Sequence, residues 1–216
     1  MKLAPVLYPK PIKDVKWNIP PLEFRLVGEI DDEIADKFVS FLFRCYKNKQ
    51  TIIPVYIDSN GGCAYALFKM LSAIKRCPAS CKIATIAEGH AMSAAAALLT
   101  AGHENFRFAS PLTTIMIHDI HIEGLEGGSV QDIRVESDEM ERLNTLMYEE
   151  MDTNCKQKQG FFKSLVKERE LNNNNWYLNG EEAKAIGLVN ELDYPEFIVD
   201  LKISYKLYKK RKREDQ

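Results

Sequence analysis

The sequence predicts an α/β fold built as one globular domain. Apolar, β-leaning runs alternate with helical patterns along most of the chain, which favours α/β with right-handed crossover connections. The chain has 216 residues, of which 45% are hydrophobic and 28% charged, so it can bury a sizeable core. No internal repeat is visible, and the elements are therefore assigned one by one.

The first half of the chain predicts two strands and two helices. A Pro-rich, irregular arm over residues 1–21 precedes them. The predicted elements are a strand over 22–28, a helix over 33–46 begun by Asp31 and Asp32, a buried strand over 52–57 that contains Pro54, a turn over 58–62 and a helix over 65–75. Proline cannot donate to a ladder, so Pro54 predicts irregular pairing in the second strand.

A strand, a turn and a small-residue helix follow between residues 82 and 102. The strand is predicted over 83–87, Gly89 marks a sharp turn, and Ser93 stands directly before a helix over 94–99. A hydroxyl at a helix N-terminus lies where free N–H groups favour negative charge, which suits a nucleophile whose reaction forms an oxyanion. Serine is also a common helix cap, so this stretch alone leaves both roles for Ser93 open.

The second half predicts further alternation. The predicted elements are a strand over 113–118, a Gly-rich passage over 124–128, a long charged helix from Ser129 to about Lys158, a helix over 160–170, an asparagine loop over 172–175, a helix from Asn179 or Gly180 to Gly187, and a short strand over 188–189. The long helix either projects to pack on another subunit or lies on the surface of a monomer. Seven Lys or Arg residues from Lys202 onward make a basic tail, interpreted as solvated.

Composition limits the function classes. The net charge of −2 argues against nucleic acid as a partner, and no apolar run reaches membrane-spanning length, so no membrane contact is expected. Five cysteines in a chain without a visible secretory signal predict free thiols and a cytoplasmic location. Cys77 and Cys81 have no second ligand pair at zinc spacing, so no metal site is predicted.

Three strand ends carry the parts of an acyl-transfer site. Ser93 follows one strand, His118 ends the strand TTIMIH, and Gly61-Gly62 follows a third strand and offers bare backbone N–H groups. Each part alone has an ordinary structural explanation.

Together, and in this order, these parts resemble the Clp protease proteolytic subunit (ClpP) family, within the crotonase-like superfamily. The matching stretches are FRLVGEIDDEIAD, YIDSNGG, IAEGHAMSAAAALLTAG, TTIMIH, GLEGGSVQDI and WYLNGEEAKAIGLVN. They are spread over about residues 22–192, in the family's order. The resemblance implies a ClpP/crotonase-like fold of repeated β-β-α units with a projecting handle helix. It implies a peptidase domain over 22–201 with the handle at about 124–158, between the arm of residues 1–21 and the basic tail of residues 202–216.

The resemblance also implies a role for each site residue. Ser93 would be the nucleophile and His118 the general base, while the amides of Gly62 and Ala94 would hold the oxyanion. An extended substrate strand would pair with Gly124, Leu125, Gly127 and Gly128. His90 stands where the family usually has glutamine. The histidines interpreted as structural are His90, His103 and His121.

The third member of the triad departs from the family pattern. Alignment of WYLNGEEA puts Asn175 where the family has an aspartate. A neutral amide can accept from the imidazole Nδ1–H but stabilises an imidazolium less well. Asp152, Glu168 and Glu170 remain alternatives, whereas Asp119, next to His118, is expected to point to the opposite face.

Assembly and chemistry follow from the same resemblance. It implies self-association into a ring, as a heptamer or a double ring, a ring ATPase unfoldase as partner and an extended polypeptide as substrate. No cofactor is predicted, since the Gly61-Gly62 turn lacks the Lys-Ser/Thr of a phosphate loop. The alternatives are a catalytically weak or inactive structural ring subunit, a crotonase-like acyl-CoA enzyme and a phage-borne relative that trims capsid precursors.

Overall fold

A computed structural model describes residues 21–121, 129–170 and 175–197. The chain divides into one unit of residues Pro21–Pro195 and another of Met1–Pro20 with Glu196–Gln216. The described residues belong to the first unit, except Glu196 and Phe197. The Pro-rich arm, the basic tail and the Gly-rich passage lie outside the described residues, so the predicted domain limits remain predictions.

The described elements alternate as the sequence predicts, and the α/β fold class is confirmed. The strands are β1 Phe24–Ile30, β2 Ile52–Gly62, β3 Lys82–Met92, β4 Arg107–Ala109, β5 Thr114–Ile117 and β6 Trp176–Leu178. The helices are α1 Asp32–Lys47, α2 Ala64–Ile74, α3 Ala94–Thr100, α4 Val130–Asn154, α5 Phe161–Glu170 and α6 Gly180–Ala185.

One sheet of six strands organises the unit. Its order is β1-β2-β3-β5-β6, and β4 pairs with β3 beside β5. The pairs from β1 to β5 are parallel, whereas β5 and β6 run antiparallel. The carboxyl ends of β2, β3 and β5 therefore meet at one edge of the sheet, where ligands bind in open α/β sheets.

Helix α3 packs at the centre of the fold. All seven of its residues are at most 4% exposed, and the helix contacts β2, β3, β5, α2 and α4. Its run of alanines allows this close approach from all sides, because an alanine side chain is only a methyl group. The hydroxyl of Thr85 on β3 donates to the carbonyl of Leu99 at 2.7 Å, which fastens the helix to its preceding strand.

The strands β2 and β3 are longer than the sequence predicts. The predicted turn over 58–62 is wrong, because those residues continue β2 to Gly62 and pair with β1. The predicted sharp turn at Gly89 is wrong too. Between the pairs Ile57–Ala87 and Ser59–Ala91, β3 advances four residues while β2 advances two, so Gly89 lies in a bulge of a continuing strand.

The short strands also differ from prediction. Residues 188–189 are buried but do not form a strand; pairing occurs instead two residues later, in an isolated bridge between Glu191 and Phe108 of β4. The strands β4 and β6 are not predicted, because three residues carry too little periodicity to show a strand. Pro54 is tolerated within β2, and the ladder to β1 begins at Val55, one residue after it.

The long helix α4 has two dissimilar halves. Its carboxyl-terminal half packs on the body through Leu143, Met147, Tyr148 and Met151, which are at most 3% exposed. Its amino-terminal half presents Val130, Ile133 and Val135 to solvent, each more than half exposed. The helix begins at a capping box in which Ser129 and Asp132 bond each other's backbone N–H.

Candidate active site

Ser93 occupies a tight elbow between β3 and α3. Its φ of 54° and ψ of −123° lie in a region that residues with side chains rarely adopt. Its N–H donates to the carbonyl of Met116 on β5 at 2.8 Å, which fixes the elbow against the neighbouring strand. The Ser93 side chain makes no capping hydrogen bond to α3. The capping explanation of this serine therefore loses its support, and a strained serine between strand and helix is the geometry of a nucleophile elbow.

Gly61 makes room for that elbow. A Cβ atom at Gly61 would lie 2.6 Å from the Met92 carbonyl oxygen and 2.7 Å from Ser93 Cβ. Gly61 also has a φ of 96°, a conformation that glycine adopts at little cost. The end of β2 thus contacts the elbow backbone to backbone.

His118 follows β5 directly beside the elbow. The parallel register pairs Met92 with Met116, so Ser93 and His118 lie one position apart on adjacent strands. Adjacent strands are about 4.8 Å apart. Both side chains line one cleft of about 620 Å³, together with Gly61, Gly62 and Ala94. The structure therefore brings together Ser93, His118 and the predicted oxyanion residues Gly62 and Ala94.

The backbone N–H groups near Ser93 differ in whether they already donate a hydrogen bond within the protein. The N–H of Gly61 donates to Ser59 Oγ at 3.1 Å, and the N–H of Cys63 donates to the carbonyl of Ile30 at 2.8 Å. Gly62, between them, belongs to the cleft lining. Ala94 is the first residue of α3, where N–H groups have no partner within the helix.

Asn175 lies opposite His118. The antiparallel ladder ends at the pair Ile117–Trp176, and His118 and Asn175 are the next residues beyond that pair on the two neighbouring chain segments. Directly opposite residues have Cα atoms about 4.5–5.5 Å apart and side chains on the same face. His118 Nδ1 is buried and has no hydrogen bond of good distance and angle within the described residues. The Asn175 side chain is nonetheless close enough to His118 to raise the pKa of its imidazole as a hydrogen-bonding partner.

Several groups act on the His118 imidazole. Burial lowers the pKa of His118 most, and the neighbouring His121 lowers it further. Asp119 and Asn175 act in the opposite direction and raise this pKa, but the net change is downward. A lowered pKa keeps the imidazole neutral near pH 7, which is the form that a general base requires.

Of the carboxylates considered as substitutes for Asn175, Asp152 is engaged elsewhere, and so is Asp119, which the sequence predicts to point away. Asp152 accepts from the N–H groups of Gly160 at 2.6 Å and Phe162 at 3.0 Å, and so it anchors the start of α5. Asp119 accepts from the Tyr148 hydroxyl at 2.8 Å. The side chain of Glu170 lies outside the described part of the chain, and Glu168 is an exposed residue of α5.

Two of the histidines interpreted as structural make ordered contacts away from the cleft. His103 Nδ1 accepts from the N–H of Ile83 at 3.0 Å, and burial lowers the pKa of His103. His90 Nδ1 lies 2.7 Å from Asp58 Oδ1, across the bulge of β3. His121 differs from both, because it lines the cleft and its ring contacts His118. Its spacing three residues after His118 is the only sequence signal of that contact.

The cleft is walled by apolar side chains from three elements and the segment after β5. They are Leu67, Met116, Ile120, Met140, Leu143 and Met147. At its rim, the Tyr65 hydroxyl donates to Glu139 Oε1 at 2.8 Å, and the Arg142 guanidinium donates to both oxygens of Glu139 at 2.6 and 2.7 Å. These hydrogen bonds lower the pKa of Glu139 to about 2, and those from Arg142 contribute most. The network joins α2 to α4, and the sequence does not reveal it.

The predicted substrate-pairing residues Gly124, Leu125, Gly127 and Gly128 lie outside the described residues. In the described part of the chain, no group of three or more His, Cys, Asp or Glu side chains has the arrangement that a metal ion needs. None of the described helices is both long and apolar enough to cross a membrane.

A match to a protein-family model shows which family the chain belongs to. The model described as Clp protease matches residues 22–194, which is most of the chain and includes every described element. Members of that family are peptidases that generally form rings and work with ATPases. The match includes every residue that lines the cleft, and the chain belongs to the Clp protease family.

Proposed function

We propose that this protein is a serine endopeptidase that hydrolyses unfolded or extended polypeptides through an acyl-enzyme. The observation that carries the proposal is the strained elbow at Ser93, one register position from His118 and facing the same cleft. Residues held in strained backbone conformations cluster at active sites, where the surrounding structure holds them in place.

In the proposed mechanism, Ser93 Oγ attacks the peptide carbonyl while its proton passes to His118 Nε2. The N–H groups of Gly62 and Ala94 stabilise the oxyanion of the tetrahedral intermediate. His118 then gives the proton to the leaving amine, and the peptide bond breaks to leave an ester on Ser93. A water molecule, deprotonated by His118, hydrolyses that ester and restores the serine.

Asn175 takes the place of the aspartate in this proposal. Its amide oxygen would accept from His118 Nδ1–H and hold the ring, and the register that sets the two residues opposite each other supports this role. The buried His118 Nδ1 is the donor that such a contact would satisfy. Without a negative charge, the imidazolium is stabilised less than in a Ser-His-Asp triad.

We propose further that the protein assembles into a ring, works with a ring ATPase that unfolds its substrates, and resides in a reducing, cytoplasmic compartment. Family membership supports the first two statements, and the exposed apolar residues on the amino-terminal half of α4 support self-association. The five free cysteines support the third. The Gly-rich passage at Gly124–Gly128 would pair with the substrate strand.

A second candidate function is a structural ring subunit with little or no activity. The neutral residue opposite His118, and the Nδ1 atom without a well-formed hydrogen bond, favour it. Cleavage of an unstructured protein and of a fluorogenic peptide by the purified, assembled chain separates the two functions. Activity that Ser93→Ala abolishes supports the peptidase, whereas the same trace activity in both proteins supports the structural subunit.

A further inference from the structure

His121 makes a ring contact with the candidate general base. The His118 and His121 ring centroids are 4.7 Å apart, and the ring planes meet at 75°, an edge-to-face arrangement. His118 is half-buried and His121 exposed, and both line the cleft that holds Ser93. The two imidazoles therefore form a pair beside the candidate nucleophile.

The segment that carries His121 is fastened to α4 by two hydrogen bonds. Tyr148 donates its hydroxyl to Asp119 at 2.8 Å, and the N–H of Ile120 donates to Asn144 Oδ1 at 2.8 Å. Tyr148 and Asn144 are 1% and 6% exposed, so both anchors are buried in the body of the protein. The two residues that precede His121 are consequently held by α4.

The contact with His121 can orient the imidazole of His118. A catalytic imidazole is normally oriented by a charged partner at Nδ1, and here the residue opposite is the neutral Asn175. A ring held against the flank of His118 restricts its rotation without any charge. A second imidazole can also carry a positive charge, and such a charge opposes a positive charge on His118.

We propose that His121 is a positioning residue for His118: its ring holds the imidazole in place, and its charge state decides whether His118 can take the proton of Ser93. The inference rests on the proposed function.

The other groups around the pair are few within the described residues. Asp119, on the same segment, opposes His121 by raising the pKa of His118. Asn175, from β6, is neutral, and Tyr148 and Asn144, from α4, are neutral groups already engaged. Glu29, from β1, is the carboxylate among the cleft-lining residues. Among these groups, His121 is the basic side chain in ring contact with His118, and it acts to lower the pKa of His118.

The experiment measures the side-chain titration of His118 by NMR in the full chain carrying ¹³Cε1-labelled histidine. His121→Phe keeps a ring and removes the charge, His121→Ala removes both, and His90→Gln is the control because His90 pairs with Asp58 away from the cleft. In His121→Phe, the midpoint of His118 is expected to move to higher pH, toward the ordinary value of about 6.5. In His90→Gln it is expected to stay unchanged.

Peptide hydrolysis gives a second readout. In His121→Phe, the acid limb of kcat/KM is expected to move to higher pH with the NMR midpoint, with kcat on the plateau retained. His121→Ala is expected to lower plateau kcat by about tenfold with little change in KM, because an unrestrained base spends less time aimed at Ser93.

The two proposals fail in different ways. An unchanged His118 midpoint in a folded His121→Phe protein overturns the role of His121, whatever the activity. A shifted midpoint in a protein that hydrolyses no peptide supports the histidine coupling and contradicts the peptidase. Equal plateau kcat in His121→Ala and the natural protein overturns the positioning role.

Discussion

His118 follows and Asn175 precedes the last pair, Ile117–Trp176, of the antiparallel ladder between β5 and β6, and the Asn175 side chain acts to raise the pKa of His118. In the proposed triad, an amide therefore stands where a Ser-His-Asp triad has a carboxylate. The relationship is fixed by strand register, and a side chain of nearly the same size can replace the amide without moving the backbone.

Asn175→Asp should raise kcat by at least tenfold. A carboxylate stabilises the imidazolium that His118 becomes, and the reverse change in a Ser-His-Asp triad costs about 10⁴ in turnover. The carboxylate should also raise the pKa of His118, so that the acid limb of the pH–rate profile moves to higher pH. Steady-state peptide hydrolysis from pH 5 to 9 measures both effects.

Asn179→Asp is the matched control for Asn175→Asp, because it also adds one negative charge to the protein. Asn179 caps α6 by accepting from the N–H of Glu182, and aspartate caps a helix equally well. The control should leave both the rate and the profile unchanged. Equal behaviour of Asn175→Asp and the natural protein would refute the assignment of Asn175 as the third residue.

Ser93→Gly should abolish activity while stabilising the fold by about 1 kcal/mol. The φ of 54° at Ser93 is strained for a residue with a Cβ atom and is open to glycine, and this relief outweighs the added freedom of the unfolded chain. Ser93→Ala keeps the Cβ and should be equally inactive without the gain in stability. Urea unfolding of the three proteins provides the comparison, and a destabilised glycine variant would show that the elbow is not strained.

Much of the fold follows from local sequence signals, and the sequence also places Ser93 directly before a helix, although it puts the sharp turn at Gly89 and not at Ser93. The helix predicted over 33–46 is confirmed as α1, because Asp31 caps it and apolar residues recur on one face. The helix predicted over 94–99 is confirmed as α3, since a run of alanines has high helix propensity in any context. In both, the signal lies within the element itself.

The errors fall where pairing partners decide the structure. The sequence of residues 58–62 predicts a turn. In the structure these residues pair with β1, and this pairing extends β2 to Gly62. The strands β4 and β6 form because β3 and β5 present edges to three-residue segments. The contact between His121 and His118 depends on the anchors from α4, 24 and 29 residues away in the chain, and no local pattern encodes it.

Gly61→Ala should impair both folding and activity. Its added Cβ would lie 2.6 Å from a backbone oxygen and 2.7 Å from Ser93 Cβ, so the elbow would have to move. We expect a loss of about 1–3 kcal/mol in the free energy of unfolding and a fall of at least 100-fold in kcat/KM.

Gly28→Ala separates backbone strain from displacement of the elbow. Gly28 has a similar φ of 87°, but a Cβ there meets nothing within 4 Å. It should lose comparable backbone stability and keep its activity. Urea unfolding and peptide hydrolysis of both variants test the distinction, and an active Gly61→Ala protein would show that close packing against Ser93 is not required.

Arg107→Lys should destabilise the protein by about 2–4 kcal/mol without changing the chemistry of the cleft. Arg107 is 4% exposed, and its guanidinium donates to Asn190 Oδ1 and to the carbonyls of Thr100, Asn154 and Gly187. A lysine cannot reach that many acceptors. Arg44→Lys, at an exposed position of α1, should change stability by less than about 0.5 kcal/mol, and equal thermal unfolding of the two variants would contradict the anchoring role.

Covalent labelling by a fluorophosphonate probe tests the central claim most directly, because the probe reacts with a serine only when a neighbouring base and an oxyanion site activate it. The assembled protein should carry one adduct, mapped by mass spectrometry to Ser93. His118→Ala should slow labelling by at least 100-fold, and Ser93→Ala should abolish it. An assembled, folded protein that acquires no adduct at Ser93, or acquires it equally fast without His118, would contradict the account.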